Sequence, residues 1–263
     1  MRNLLEIGGK RMPFLRWSVL RMALGGRKLL RDWQVGDGRE AALAEYVVAT
    51  ARRGDPDDVI RTIDEFCNNR SVMINVGDEK GEILDRAVRR ASPQLVLELG
   101  TYCGYSALRM ARVMPAGARV WSLEFSADNA AVARRIWDHA GIGDQLTVVV
   151  GTLGDGGTTI DRLRTEHGFG TGSVDFVFVD HDKSAYLPDL ERILAERWLH
   201  PGSIVVADNV RFPGAPEYRS FMEAQQGKTW DTIKHDTHVE YQSLIKDVVL
   251  ESEYLGDGSG EAE

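Results

Sequence analysis

The chain has 263 residues and a formal net charge of -8, with 43% hydrophobic and 27% charged residues. It is long enough to bury one sizeable core and reads as one decorated soluble domain, while its acidic balance argues against general nucleic-acid binding, which needs a clustered cationic surface. Cys67 and Cys103 stand in separate segments without CxxC or Cys/His spacing, so neither a disulfide framework nor a zinc site is suggested and a reducing cytoplasm is the natural compartment.

The average hides an asymmetry. Residues 1–33 hold eight Lys or Arg against Glu6 and Asp32, about +6, which leaves about -14 for the rest. Leu15, Trp17, Val19, Leu20, Met22 and Leu24 alternate there with Arg16, Arg21, Arg27 and Lys28. No apolar run approaches the length of a bilayer span, and no secretion signal follows Met1. Residues 1–38 therefore read as a basic amphipathic extension. It either packs on the domain with its charges in water or lies peripherally on an anionic membrane, the inner face for a cytoplasmic protein. Residues 39–255 form the expected domain, and 256–263, lacking an apolar anchor, a flexible tail.

Past Gly36-Asp37-Gly38 a helix is expected from Glu40 to Arg53. Asp55-Pro56 resembles an N-cap with proline at the first helical position, and Val59, Ile60, Ile63 and Phe66 make one face of a helix from Pro56 to Asn69. Asn75-Val76-Gly77-Asp78 is turn-like, followed by a helix from Lys80 to Ala91. The pattern then alternates: strands Leu95–Leu99, Arg119–Phe125, Leu146–Val150, Val174–Val179 and Ser203–Ala207, with helices near Ser106–Val113, Asp128–Ala140, Thr158–His167 and Leu187–Arg197 between them. This predicts an α/β fold: a doubly wound, mostly parallel sheet with helices on both faces. Trp230–Ile233 and Gln242–Val249, joined by the polar link Lys234–Tyr241, are expected to close it as a C-terminal antiparallel hairpin.

Two strand ends carry the chemistry. Asp180-His181-Asp182-Lys183 follows one apolar run and Asp208-Asn209 another. In an open α/β sheet the ligand sits beyond the carboxyl ends of such strands, so Asp180, Asp208 and Asn209 are candidate hard-oxygen metal ligands, and Lys183 is close enough to act as a base. After the first strand, Glu98-Leu99-Gly100-Thr101-Tyr102-Cys103-Gly104-Tyr105-Ser106 has Gly-x-x-x-Gly and not the Gly-x-Gly-x-x-Gly of a dinucleotide site. Glu98 is placed to accept from an ammonium group, and Glu124, twenty-six residues on, to bind the paired hydroxyls of a ribose. Together they suit S-adenosylmethionine, which has no phosphate to cradle. Cys103 inside the turn reads as a small packing residue.

These residues also carry a family resemblance. Asn75-Val76-Gly77-Asp78 with Lys80-Gly81, Leu97-Glu98-Leu99-Gly100 with Tyr102-Cys103-Gly104-Tyr105-Ser106, Asp180-His181 with Lys183 and Tyr186-Leu187-Pro188-Asp189, Ala207-Asp208-Asn209-Val210 with Pro213-Gly214-Ala215-Pro216, and Glu240-Tyr241 occur in order. Over roughly Tyr46 to Tyr254 the chain resembles the catechol O-methyltransferase family. The resemblance implies a Rossmann-like methyltransferase sheet and magnesium-dependent transfer of a methyl group from S-adenosylmethionine to one hydroxyl of a small aromatic vicinal diol. By that resemblance Val76, Glu98, Ser106, Glu124 and Leu153 contact the cofactor with His181 beside it, and Gly100, Tyr102, Gly104, Phe125 and Asp180 complete its candidate site. Asp180, Asp208 and Asn209 hold Mg2+, leaving room in an octahedron for two hydroxyl oxygens and a water. Lys183 takes the proton, Glu240 accepts from the hydroxyl that is not methylated, and Asn209 and Pro213 complete the acceptor site.

The departures concern the acceptor. Asp182 and Val72 stand where the family usually has tryptophan, and Ile74 replaces a methionine beside Asn75. An acidic Asp182 at the pocket mouth favours cationic or polar catechols. Alternatives are another chelating diphenol, such as a caffeoyl, flavonoid or microbial compound, and a membrane-associated binding protein with a relict site. His139, His167, His200, His235 and His238 are expected in surface or loop roles, without convincing partners.

Overall fold

The structure, a computed structural model, describes residues 37–241 and 244–256, together with a two-residue antiparallel pair, Glu6–Ile7 with Lys10–Arg11. The expected basic extension 1–38 and tail 256–263 otherwise lie outside the described residues. Three helices come first: α1 (Arg39–Thr50), α2 (Pro56–Asn69) and α3 (Gly77–Ala91). There follow β1 (Leu95–Leu99), α4 (Tyr105–Val113), β2 (Arg119–Glu124), α5 (Ala127–Ala140), β3 (Leu146–Val150), α6 (Thr158–His167) and β4 (Val174–Val179). The last elements are α7 (Tyr186–Ala195), β5 (Leu199–Ala207), α8 (Pro216–Gln225), β6 (Trp230–His238) and β7 (Lys246–Tyr254).

The local chemistry accounts for these bounds. Asp55 caps α2 by accepting the N–H of Asp58 at 3.0 Å, and Pro56 sits at the first turn, where its missing N–H costs nothing. Gly77 and Asp78, expected as a turn, are the first residues of α3. Helix α8 is not among the expected elements; it begins at Pro216, at the end of the string Pro213-Gly214-Ala215-Pro216.

The seven strands run in the order β3-β2-β1-β4-β5-β7-β6, with the first five parallel and β7 and β6 antiparallel. The hairpin is longer than expected, because Lys234 to His238 belong to β6. As the outermost strand, β6 turns Asp231, Lys234 and Asp236 to solvent, a pattern that blunts an exposed edge and hides the strand from an apolar-run search.

Both faces of the central strands are covered. Val96, Phe176, Phe178, Ile204 and Val206 pack in one core with α1 to α5, while the alternate residues Leu97, Val177, Val179, Val205 and Ala207 pack in the other with α6 to α8. Each fully buried Val, Leu, Ile or Phe among them contributes about 1.5–3 kcal/mol. After β3 the chain crosses back to place β4 beside β1, so the loops leaving β1 and β4 flank the crevice where the strand order reverses, where α/β sheets bind ligands.

Candidate active site

A cleft of about 350 Å³ opens at the carboxyl ends of β1, β2, β4 and β5. Gly100, Tyr102, Ser106, Glu124, Phe125 and Leu153 line one part of it. Asp180, His181, Asp182, Lys183, Asn209, Pro213 and Glu240 line the other. Four sequence-expected residues stand behind this wall: Val76, Glu98, Gly104 and Asp208 are buried and do not border the cleft.

In the first part, Glu124 ends β2 and accepts the backbone N–H of Tyr102 at 2.8 Å and of Ser126 at 2.9 Å. Burial pushes its carboxyl up, partly offset by those N–H groups. Tyr102 adopts φ 46°, a left-handed conformation that costs a side-chain-bearing residue about 1–2 kcal/mol, and its hydroxyl donates to Glu40 at 2.9 Å. Glu98 is fully buried and accepts hydrogen bonds from the hydroxyls of Ser106 and Ser122. Desolvation pushes Glu98 up to about 8 despite both hydroxyls. Its place is therefore beneath the wall, holding Ser106. Gly104 serves the turn: its carbonyl accepts from the Trp137 indole at 2.8 Å, and a β-carbon there would meet that nitrogen at 2.4 Å.

In the second part, the loop after β4 sends the Lys183 ammonium back to Asp180 Oδ1 at 2.9 Å and to the Tyr186 hydroxyl at 2.5 Å, and Tyr186 in turn donates to the Asp208 carbonyl at 3.0 Å. His181 stacks on Tyr186 and sets Nε2 2.8 Å from Asp189 Oδ2, while Nδ1 is buried with no hydrogen-bond partner among the described residues. Asn209 adopts φ 54°, which Asn tolerates better than most residues, and its amide nitrogen donates to Glu240 at 3.1 Å and Asp247 at 2.8 Å. Asp182 is exposed at the cleft rim. The Ser184 hydroxyl holds its carboxyl below the usual range. Val72 does not line the cleft, whereas Ile74 and the half-exposed Phe212 do.

Two charged residues here have no counterpart in the sequence reading of roles. Lys80, 1% exposed, reaches Asp208, Glu240 and Asp247 together. Burial pulls its ammonium down, but the three carboxylates outweigh burial and hold it well above the ordinary lysine range. Lys80 belongs to a matched string that assigns it no role, and Asp247 falls inside the expected run Gln242–Val249. Asp180, Asp208, Glu240 and Asp247 face Lys80 and Lys183, an excess of two negative charges if all are ionised. Burial, with Asp180 and Glu240 adding to it and Lys80 and Lys183 opposing, pushes Asp208 up to about 8. A donor set of hard oxygens with that excess fits a divalent cation.

The histidine expectation needs correction. His139 is buried and bonds to the Ala51 carbonyl at 2.9 Å, His200 pairs with Asp175 at 3.0 Å, and His235 with Glu251 at 2.7 Å. His238 lies 3.2 Å from Glu79. His235 and His238, three apart on β6, point to opposite faces and do not converge on one ion.

The order of strands and helices defines the class by its fold, that of the Rossmann-like methyltransferases. The chain aligns with an O-methyltransferase from Bacillus cereus in complex with SAH at a TM-score of 0.60 and 20% identity, covering 90% of this chain and 99% of that one. A putative O-methyltransferase from Klebsiella pneumoniae gives 0.59 and 21%, covering 92% and 100%. The O-methyltransferase family model matches residues 57–251. A probable O-methyltransferase of Mycobacterium tuberculosis is 63% identical over 89% of this chain and all of its own length, and catechol O-methyltransferase B of Danio rerio is 42% identical over 83% of this chain and 80% of its own. The chain belongs to the O-methyltransferase family, and it is an O-methyltransferase.

Proposed function

We propose that the protein transfers the methyl group of S-adenosylmethionine to one hydroxyl of a catechol-type vicinal diphenol, assisted by magnesium. The observation that carries this reading is that Glu124 and Ser106 share one cleft with Lys183, Asn209 and Glu240, so a donor and an acceptor fit side by side. The name of the Danio rerio relative supports the acceptor class.

S-adenosylmethionine supplies a methyl group on a cationic sulfur. Glu124 accepts from the ribose hydroxyls, and Tyr102, Phe125 and Leu153 cover the donor from water. The buried, unpartnered Nδ1 of His181 gives a polar group of the donor a place to bond. Asp180, Asp208 and Asn209 would hold magnesium, which would lower the pKa of the acceptor hydroxyl when bound. Lys183, steered by Asp180 and Tyr186, takes the proton from the attacking hydroxyl as a neutral amine, and Glu240 accepts a hydrogen bond from the neighbouring hydroxyl. Pro213 and Phe212 form the apolar wall for the ring. Holding both reactants in one cleft supplies the proximity that an in-line displacement needs.

The test is transfer of labelled methyl from S-adenosylmethionine to a panel of catechols, caffeoyl compounds and flavonoids, with magnesium and with a chelator. Turnover on vicinal diphenols that stops in chelator is expected. Turnover that persists in chelator refutes the metal-assisted reading, and no turnover on any diphenol refutes the acceptor class.

The catalytic domain is proposed to span residues 39–255, around the matched residues 57–251. No helix among the described residues is long and apolar enough to cross a membrane. The basic segment 1–33 is proposed to contact an anionic membrane surface. Its deletion should lower the fraction sedimenting with anionic vesicles; an unchanged fraction refutes this contact.

A further inference from the structure

The Lys80 ammonium donates to three carboxylates: Asp208 Oδ2 at 3.1 Å, with Oδ1 of the same group 2.8 Å away, Glu240 Oε1 at 2.5 Å and Asp247 Oδ2 at 2.9 Å. One oxygen from each of these acids lies within 4.8 Å of the other two. Three anionic oxygens converging on one point make a cage that a hard divalent cation also takes. Here the point is filled by a side chain from the first turn of α3.

We propose that Lys80 is a positioning residue acting as a built-in counter-cation: it occupies the Asp208–Glu240–Asp247 cage and keeps a divalent ion out of it. Two of the three acids have other work in the proposed reaction. Asp208 belongs with Asp180 and Asn209 as a metal ligand, and Glu240 borders the cleft where the acceptor binds. An ion seated in the cage would draw both away from those duties. An ammonium satisfies the same charge with directed hydrogen bonds and leaves Asp208 and Glu240 where they are.

Asp247 extends the effect to the neighbouring loop. Its Oδ1 accepts the backbone N–H groups of Arg211 at 3.2 Å and Phe212 at 3.0 Å, while Oδ2 takes Lys80 and the Asn209 amide. The Lys80–Asp247 pair therefore anchors Asn209 and the segment leading to Pro213 at once. The division of labour between Asp208 and Glu240 rests on the proposed reaction; the exclusion of a cation from the cage does not.

The test counts bound Mn2+ per chain by equilibrium dialysis on the full-length protein. Lys80→Met keeps the four-atom stem of the side chain and removes the ammonium that fills the cage, and it is expected to bind one more Mn2+ than the parent. Adding Asp247→Asn to Lys80→Met should remove the gain. Mn2+ should also raise the melting temperature of Lys80→Met more than that of the parent, a readout independent of turnover. An equal Mn2+ count in parent and Lys80→Met overturns the proposal, as does a Lys80→Met chain that stays unfolded in excess Mn2+. A gain of an ion in Lys80→Arg, which keeps the charge, overturns it too. Because the criterion is a difference, a parent that binds no Mn2+ counts against the magnesium reading and leaves the cage proposal to be decided by the gain.

Discussion

The main-chain carbonyl oxygen of Asp180 lies 2.4 Å from the point where a β-carbon on Gly100 would sit. Gly100 also holds φ at +103°, outside the range of ordinary side-chain-bearing residues. The loops leaving β1 and β4 therefore pass each other with no room for a methyl group, and this contact sets the two parts of the cleft against each other.

Gly100→Ala should lose about 2–6 kcal/mol of stability, from a strained backbone at about 1–3 kcal/mol and overpacking at about 1–3 kcal/mol. Urea denaturation measures it. A change below about 0.5 kcal/mol, the usual size for an uninvolved site, would show that the loops yield.

Lys183 touches Asp180 and Tyr186 but none of the groups that would hold the donor's ribose. Lys183→Met should thus lower kcat by about a hundred- to ten-thousandfold, the range for loss of a general base. Calorimetry should find the dissociation constant of S-adenosylmethionine within about twofold of the parent's. A kcat within about tenfold of the parent's would remove Lys183 from the proton transfer.

The parts of the molecule legible in sequence are those written locally. Val96 and Leu97 send alternate side chains to opposite cores, as do Phe176 and Val177, so short apolar runs announced strands buried on both faces. Asp180 and Lys183 sit three apart at a strand end, and their contact follows from that spacing. Lys80 and Asp247 are separated by 167 positions, and only the antiparallel placement of β7 beside β5 joins them. The histidines failed for the same reason: the partner of His139 is a carbonyl in the segment after α1, and that of His235 lies across the hairpin.

Glu98 gives a pH signature to the donor-free protein. Burial raises its folded-state pKa to about 8, above the ordinary carboxylate value it regains on unfolding. The folded chain then holds one more proton than the unfolded chain between those values, so this residue's contribution to stability is present at low pH and is lost as pH rises through about 8. Relative to Glu98→Gln, the parent should lose stability between pH 5 and pH 7 by at most about 3 kcal/mol, at roughly 1.4 kcal/mol per pH unit. Urea midpoints of both proteins over that window measure the difference. A constant difference would place the Glu98 pKa in the ordinary range.

Asp182 offers the sharpest test of acceptor choice. Its carboxylate stands exposed at the cleft rim, and Ser184 hydrogen bonds hold it ionised at neutral pH. A cationic substituent on an acceptor ring would meet this charge, whereas an acidic substituent would be repelled by it. Exposure limits the effect, because a solvated pair is worth about 0.2–1 kcal/mol, which converts to at most about fivefold in kcat/KM. Asp182→Ala should therefore lower kcat/KM for a catechol bearing an amine by about two- to fivefold and leave an uncharged catechol nearly unchanged. An acidic catechol should improve by a similar factor. The preference should weaken as salt rises, since the interaction is screened over about 10 Å at 0.1 M ionic strength. Equal changes for the amine-bearing, neutral and acidic acceptors would remove Asp182 from substrate selection and leave Phe212 and Pro213, the apolar wall, as the part of the cleft that discriminates.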